Sequence, residues 1–370
     1  MDPMDIPRPV PFGNYLLIER IGIGGTAEIL RAVRRGRRPG EPEVAVKRLI
    51  GPMAEDPACA QLFIREIGAL ARIDHPCVVK LLDQGEAAGL PFLVMPLLDG
   101  CTLRDLLRDP LDPGNPQPMP AVAALWLAAE VASGLAAAHR AGVVHRDVSP
   151  TNVQVTAAGE VQVLDFGIAR VAGLAQTTHG QGLRGKWAYL SPEQIAGEPL
   201  DGKSDLFSLG TVLVEMLQGT APFAGSDRQD TLGRIQTVQW SGLELTSPLR
   251  AELEPMLANL ETLLADLFAR QPDRRPADGD TVAARLCGML GQALALDLTG
   301  LTAHGRELLA RRVALVDRRP LQPLLSAAEL RGEVVTDPAL DPDVTAVRLR
   351  PDDAPGWPLP RDAPVSPNDE

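Results

Sequence analysis

Cysteine is scarce and unclustered. Only Cys59, Cys77, Cys101 and Cys287 occur in 370 residues, and no two form a C-x-x-C pair. That argues against a disulfide framework or a zinc site and suits a reducing cytosol. An excess of positive charge is also missing: the formal net charge is -12 and the isoelectric point about 5.0, so a nucleic-acid partner is not expected. Residues 1–11 hold several prolines and lack the basic-then-apolar order of a secretion signal. No apolar run of membrane-spanning length goes uninterrupted. Residues 121–139 carry Glu130 and Ser133 and read as a buried helix, and residues 286–301 carry Asp297 and glycines. A membrane anchor is not expected, and no internal repeat occurs.

What is present is chemistry suited to phosphate. The length allows two lobes with substantial cores. Residues 145–152 read His-Arg-Asp-Val-Ser-Pro-Thr-Asn, and residues 165–167 read Asp-Phe-Gly. Asp147 and Asn152 share one short loop and Asp165 opens the next. Two carboxylates and an amide converging there suit a hydroxyl that must lose a proton beside a phosphate held by magnesium.

Upstream, an apolar strand at 15–21 runs into Gly22-Ile23-Gly24-Gly25. Glycines let a hairpin fold close over phosphates and offer backbone N–H groups, although a plain tight hairpin explains them equally. Val44-Ala45-Val46-Lys47 alternates as a strand. In the segment 59–73, Leu62, Phe63, Ile67 and Leu70 recur at helical spacing, with Glu66 at the edge of that apolar face. Residues 92–95 read as a strand, 96–100 as a turn, and 109–120 as a Pro/Gly-dense loop. Two short strands at 153–155 and 161–164, joined near Gly159, deliver Asp165.

Taken together these phrases resemble the protein kinase family, with its H-R-D-x-x-x-x-N catalytic loop, D-F-G metal loop, V-A-I-K strand and A-P-E segment, here Ser191-Pro192-Glu193. The resemblance covers residues 12–291, and residues 145–153 and 185–193 look most like bacterial serine/threonine kinases. It implies an α+β, two-lobed fold, with a β-rich N-lobe at 12–95, a hinge at 96–100 and a helical C-lobe at 101–291. Residues 1–11 are then a flexible terminus, 292–335 a helical extension, and 336–370 a disordered tail.

The resemblance also implies ATP and Mg2+. Lys47, held by Glu66, would contact the phosphates, Asn152 and Asp165 the metal, and Asp147 would deprotonate the substrate hydroxyl. Gly22, Gly24, Gly25, Ile29, Ala45, the gatekeeper Met95, the Pro96 carbonyl, the Leu98 N–H and Gln154 would line the nucleotide. Arg146 would receive a phosphate carried by Thr177 or Thr178 in the activation segment. Glu193 would pair with Arg275, and Asp205 would brace the catalytic loop.

Four positions depart from the family pattern. Ala27 replaces the third glycine of the lid, and Gln154 replaces an aliphatic residue beneath the base. Ser149 replaces a lysine, and Gly185-Lys186 stands where a Gly-Thr pair is usual, so Lys186 is expected to supply the missing charge. Small-molecule kinases of the aminoglycoside type lack the A-P-E-like segment. The reading is therefore a cytoplasmic serine/threonine kinase acting on protein Ser/Thr hydroxyls and able to self-associate for autophosphorylation. The rival is a pseudokinase scaffold.

Overall fold

The computed structural model describes residues 9–23, 27–38, 40–50, 56–87, 89–108, 117–166, 186–316 and 347–348. The small lobe is an antiparallel sheet. β1 (Val10–Phe12), β2 (Tyr15–Ile23), β3 (Ala27–Arg34) and β4 (Val44–Leu49) follow one another across it. Beyond β4 the sheet continues through β6 (Leu90–Pro96) to β5 (Asp83–Ala87), and the two-residue β10 (Val347–Arg348) pairs with β5 at the edge. β2 and β3 slip register between Leu17 and Glu19 and again between Arg20 and Gly22. Such irregularities bend and twist a hairpin.

Between β4 and β5 lies α1 (Pro57–Leu70). Asp56 caps it by accepting from Ala58 N–H at 2.8 Å, and Pro57 occupies the first turn, where its missing N–H costs nothing. Its buried face holds Leu62, Phe63, Ile67 and Leu70, as the spacing predicts, together with Glu66.

The large lobe begins with β7 (Gly100–Thr102) and α2 (Leu103–Leu106), the latter opened by a Thr102–Asp105 capping box. Its centre is α3 (Ala121–Arg140). This helix is long and apolar enough to cross a membrane, yet 83% of its most apolar 18-residue stretch is buried inside the lobe. β8 (Val153–Thr156) and β9 (Val161–Val163) complete a three-stranded sheet with β7, turning at Gly159 with φ +76°.

Next come the short α4 (Pro192–Ala196) and α5 (Gly202–Gln218), which is capped by Asp201 and ends at a left-handed Gly219. Smaller helices follow: α6 (Arg228–Thr237), α7 (Ser247–Leu253) and α8 (Leu257–Leu267). α9 (Gly279–Leu294) packs against α3, as does α5. An aromatic cluster of Phe207, Phe223, Trp240 and Phe268 fixes the far side of α5.

α10 (Leu298–Leu315) turns back onto α3 and β8. Gly305 lies against the Trp126 ring, and the Arg312 guanidinium donates to the Leu106 carbonyl at 3.1 Å. The lobes are also stitched together behind the cleft. The Val163 N–H donates to Cys77 O at 2.8 Å, and the Val79 N–H donates to Val163 O at 3.1 Å.

Candidate active site

Lys47 enters the cleft from β4. Its register opposite Ile29 on one side and Leu93 on the other fixes which face it takes. The ammonium donates to Glu66 Oε1 at 2.6 Å and to Asp165 Oδ1 at 2.9 Å. Burial alone would push the lysine pKa down. The charges of Asp165 and Glu66 outweigh it and hold Lys47 above its ordinary range, fully cationic. Sequence spacing puts Glu66 at the edge of the α1 apolar face, but the structure buries it within that face, 7% exposed. The difference has a cause: the Lys47 cation supplies the counter-charge that makes such burial tolerable.

The catalytic loop runs from α3 to the 3-10 turn Pro150–Asn152. Its backbone is held from behind by Asp205, the buried carboxylate in the first turn of α5. Asp205 accepts from the His145 and Arg146 N–H groups, each at 2.8 Å, and bonds the His139 ring at 2.7 Å. Arg146 is left-handed, with φ +66°, and its carbonyl accepts from Gln194 Nε2 at 2.8 Å. The loop is thus fixed at consecutive residues, so Asp147 is aimed rather than mobile. Asn152 Nδ2 donates to Asp147 O at 2.8 Å and Oδ2 at 3.0 Å. With its amide nitrogen so engaged, Asn152 keeps its Oδ1 as the side-chain oxygen for another partner.

The second loop meets the first at the same point. Leu164 N–H donates to Asn152 O at 2.8 Å, and His145 Nε2 bonds Leu164 O at 2.8 Å. Asp165 adopts φ +53°, an unusual conformation for a non-glycine residue. Phe166, 1% exposed, packs on the His145 ring at 4.7 Å between centroids. Direct contacts therefore join Lys47 to Glu66 and Asp165, and Asn152 to Asp147, while the Leu164–Asn152 backbone bond brings the two loops together. The oxygens of Asp165 and Asn152 fit magnesium, which characteristically takes one or two protein oxygens beside phosphate and water.

The far end of the cleft is the hinge. Ala45 is paired with Met95 and Val44 with Pro96. Ala45 and Met95 are buried, and Ile29 packs against the same cluster. Leu98 N–H makes no hydrogen bond among the described residues, while Leu98 O accepts from Gln154 Nε2 at 3.3 Å. The side chain of Gln154, whose reach the sequence leaves open, thus turns to the hinge. Gly22 pairs with Ile29 in the β2–β3 hairpin, whereas Gly24 and Gly25 lie outside the described residues. Thr177 and Thr178 also lie outside them. Lys186 opens the 3-10 turn Lys186–Tyr189 through its backbone, and its side chain is not among those described.

Below the cleft, Arg275 grips Glu193 with both ends of its guanidinium, at 2.6 and 2.8 Å, and the Ser204 hydroxyl adds a third bond at 2.6 Å. One buried network escaped the sequence reading altogether. Tyr189 donates to Glu215 Oε2 at 2.5 Å, and Arg104 bonds both the Tyr189 hydroxyl and Glu215. Tyr189 stands within the recognisable Tyr-Leu-Ser-Pro-Glu phrase, but nothing near Arg104 in sequence marks it as the partner.

Comparison with known proteins agrees with this geometry. Residues 15–286 match the protein kinase domain family. The chain is 40% identical over 269 residues to serine/threonine-protein kinase PknB of Mycobacterium leprae, covering 71% of this chain and 40% of that protein. It is 36% identical over 275 residues to serine/threonine-protein kinase PknL of Mycobacterium tuberculosis, covering 74% of this chain and 65% of that one. It therefore spans less than two thirds of the length of these relatives. Among solved structures, the Mycobacterium tuberculosis PknI kinase domain superposes with a TM-score of 0.57 at 26% identity, covering 77% of this chain and 100% of the other. With its two-lobed fold and its matched domain, the chain belongs to the protein kinase family.

Proposed function

We propose that the protein is an ATP-dependent serine/threonine protein kinase. The observation that carries the reading is the Lys47 ammonium bonded at once to Glu66 and Asp165, with Asp147 and Asn152 joined beside them. In this arrangement Lys47 orients phosphate oxygens, and Glu66 keeps the lysine in place. Asp165 and Asn152 would hold magnesium, which would supply neutralising charge at the phosphates. Asp147, immobilised through its backbone and its bond to Asn152, orients the acceptor hydroxyl and takes its proton. Catalysis of this kind rests on positioning and electrostatics.

Protein serine and threonine hydroxyls are the proposed acceptors. Pro150, in the loop phrase ending at Asn152, and the names of the mycobacterial relatives support that choice. Four free cysteines support a cytosolic site of action. Regulation by a phosphate on Thr177 or Thr178 belongs to the same proposal, with self-association as the route to autophosphorylation. It is supported by Arg146, whose buried Nε lacks a hydrogen-bond partner among the described residues. The test is transfer of γ-phosphate from Mg-ATP to a protein substrate by the purified chain, with Asp147→Asn as control. Phosphate incorporated by the wild type and lost in the variant supports the reading. Equal incorporation by both, or none by the wild type, rejects it. Mass spectrometry of the active protein tests Thr177 and Thr178.

A further inference from the structure

The Gln154 amide stands where an apolar floor would serve an aromatic base as well or better, so its contact calls for a reason. β8 alternates: Val153 and Val155 are buried in the lobe, while Gln154 is half-buried on the other face. Strand register sets it opposite Thr102, whose hydroxyl is already bonded to Asp105 at 2.6 Å. The Gln154 amide nitrogen instead crosses to the hinge and donates to Leu98 O. No other hydrogen bond to that amide occurs among the described residues. Among the described residues the Leu98 N–H therefore has no partner, while its carbonyl already accepts one hydrogen bond.

A purine docked by its Watson–Crick edge on an extended hinge meets these groups in order. On the nucleotide-site reading its 6-amino group would face the Pro96 carbonyl, N1 the Leu98 N–H, and C2 the Leu98 carbonyl. Adenine has only a hydrogen at C2 and asks nothing of that oxygen. A purine with a 2-amino group brings a second donor to that oxygen, which has two lone pairs, and must share it with Gln154 Nε2. A ligand is disfavoured when it must compete for a contact that its rival leaves undisturbed.

We propose that Gln154 sets the base selectivity of the nucleotide site by capping the Leu98 carbonyl against purines that carry a 2-amino group. The inference rests on reading the cleft as a nucleotide site. Its probe is 2-aminoadenosine triphosphate, which differs from ATP only at C2. Calorimetric dissociation constants for the two nucleotides, with magnesium, are measured on the full chain as wild type, Gln154→Leu and Gln154→Met. Removing the amide donor should shift the affinity ratio toward the 2-amino nucleotide by about fivefold to tenfold, the scale of one net hydrogen bond.

Methionine keeps the length of the side chain and decides the matter if the leucine variant does not fold. A ratio that moves less than twofold in a variant that binds ATP overturns the inference and leaves the kinase reading standing. Wild-type protein that binds both nucleotides but transfers no phosphate overturns the kinase reading while the ratio still tests Gln154. Protein that binds neither nucleotide overturns both.

Discussion

The carboxylate of Asp205 accepts the backbone N–H of His145 at 2.8 Å, from the first turn of a helix that starts more than fifty residues later in the chain. The neighbouring Arg146 N–H takes the other oxygen, also at 2.8 Å. Asp205→Ala strands these donors in a buried place where water cannot satisfy them. The expected loss is roughly 2–5 kcal/mol, read as a lower urea midpoint. Turnover should fall further than stability alone accounts for, because Asp147 is the next residue on the loop so released. A variant with unchanged turnover in its folded fraction would show that the brace does not position the base.

Lys47 serves both the chemistry and the fold. Lys47→Met removes the cation at the phosphates and should lower turnover by at least about 10²-fold, the scale for one preorganised electrostatic contact. It also leaves Glu66 in the buried face of α1 without its partner, which should cost about 3 kcal/mol. Adding Glu66→Gln to Lys47→Met should recover much of that stability and none of the activity, a non-additive result expected of residues in contact. Equal melting temperatures for wild type and Lys47→Met would contradict the buried-pair account.

The five polar residues of the cleft were legible in the sequence because each lies in a short phrase whose backbone geometry fixes its aim. Asp147 and Asn152 are five apart on one loop, so their contact at 3.0 Å is nearly local. The strand and helix that bring Lys47 to Glu66 were likewise readable from alternation and from 3.6-residue spacing. Partner choice over long range was not legible. Gln154 has two rotamer-rich bonds with which to seek the hinge or the solvent, and only the register of β8 against β7 decides between them. Arg104 meets Tyr189 and Glu215 across 85 and 111 residues, and a single arginine on a short helix carries no pattern that names its partners.

The Glu193–Arg275 pair should give the large lobe a definable acid limit. Burial by itself would raise the Glu193 pKa, but the hydrogen bonds from Arg275 and Ser204 outweigh it and hold the carboxylate below its usual range. A carboxylate with a depressed folded pKa stabilises the fold above its unfolded pKa, near about 4.3, and loses that contribution as pH falls through the lower folded value. Glu193→Gln leaves the fully buried Arg275 side chain uncompensated, a loss of about 3–5 kcal/mol at neutral pH. The gap in melting temperature between wild type and variant should be complete at pH 7 and shrink progressively below about pH 4. A gap that stays constant from pH 7 to pH 3 would assign the stabilisation to packing, not to the charge.

Two glycines in neighbouring helices should respond to the same substitution with opposite signs. At Gly288 in α9, an added Cβ meets nothing within 4 Å. Alanine there adds helix propensity without a clash and should raise stability by roughly 0.5–1 kcal/mol. At Gly305 in α10, the same Cβ would fall within 2.3 Å of the Trp126 ring, which is itself only 2% exposed and walled in by the lobe. The indole cannot retreat, so α10 must shift away from α3. Gly305→Ala should therefore cost about 1–3 kcal/mol despite the propensity gain. Because Leu309 and Val313, both fully buried, follow on the same helix, the shift should also expose amides of α10 to hydrogen exchange ahead of the rest of the lobe. If both alanine variants melt above the wild type, α10 does not dock on Trp126 as tightly as the structure places it.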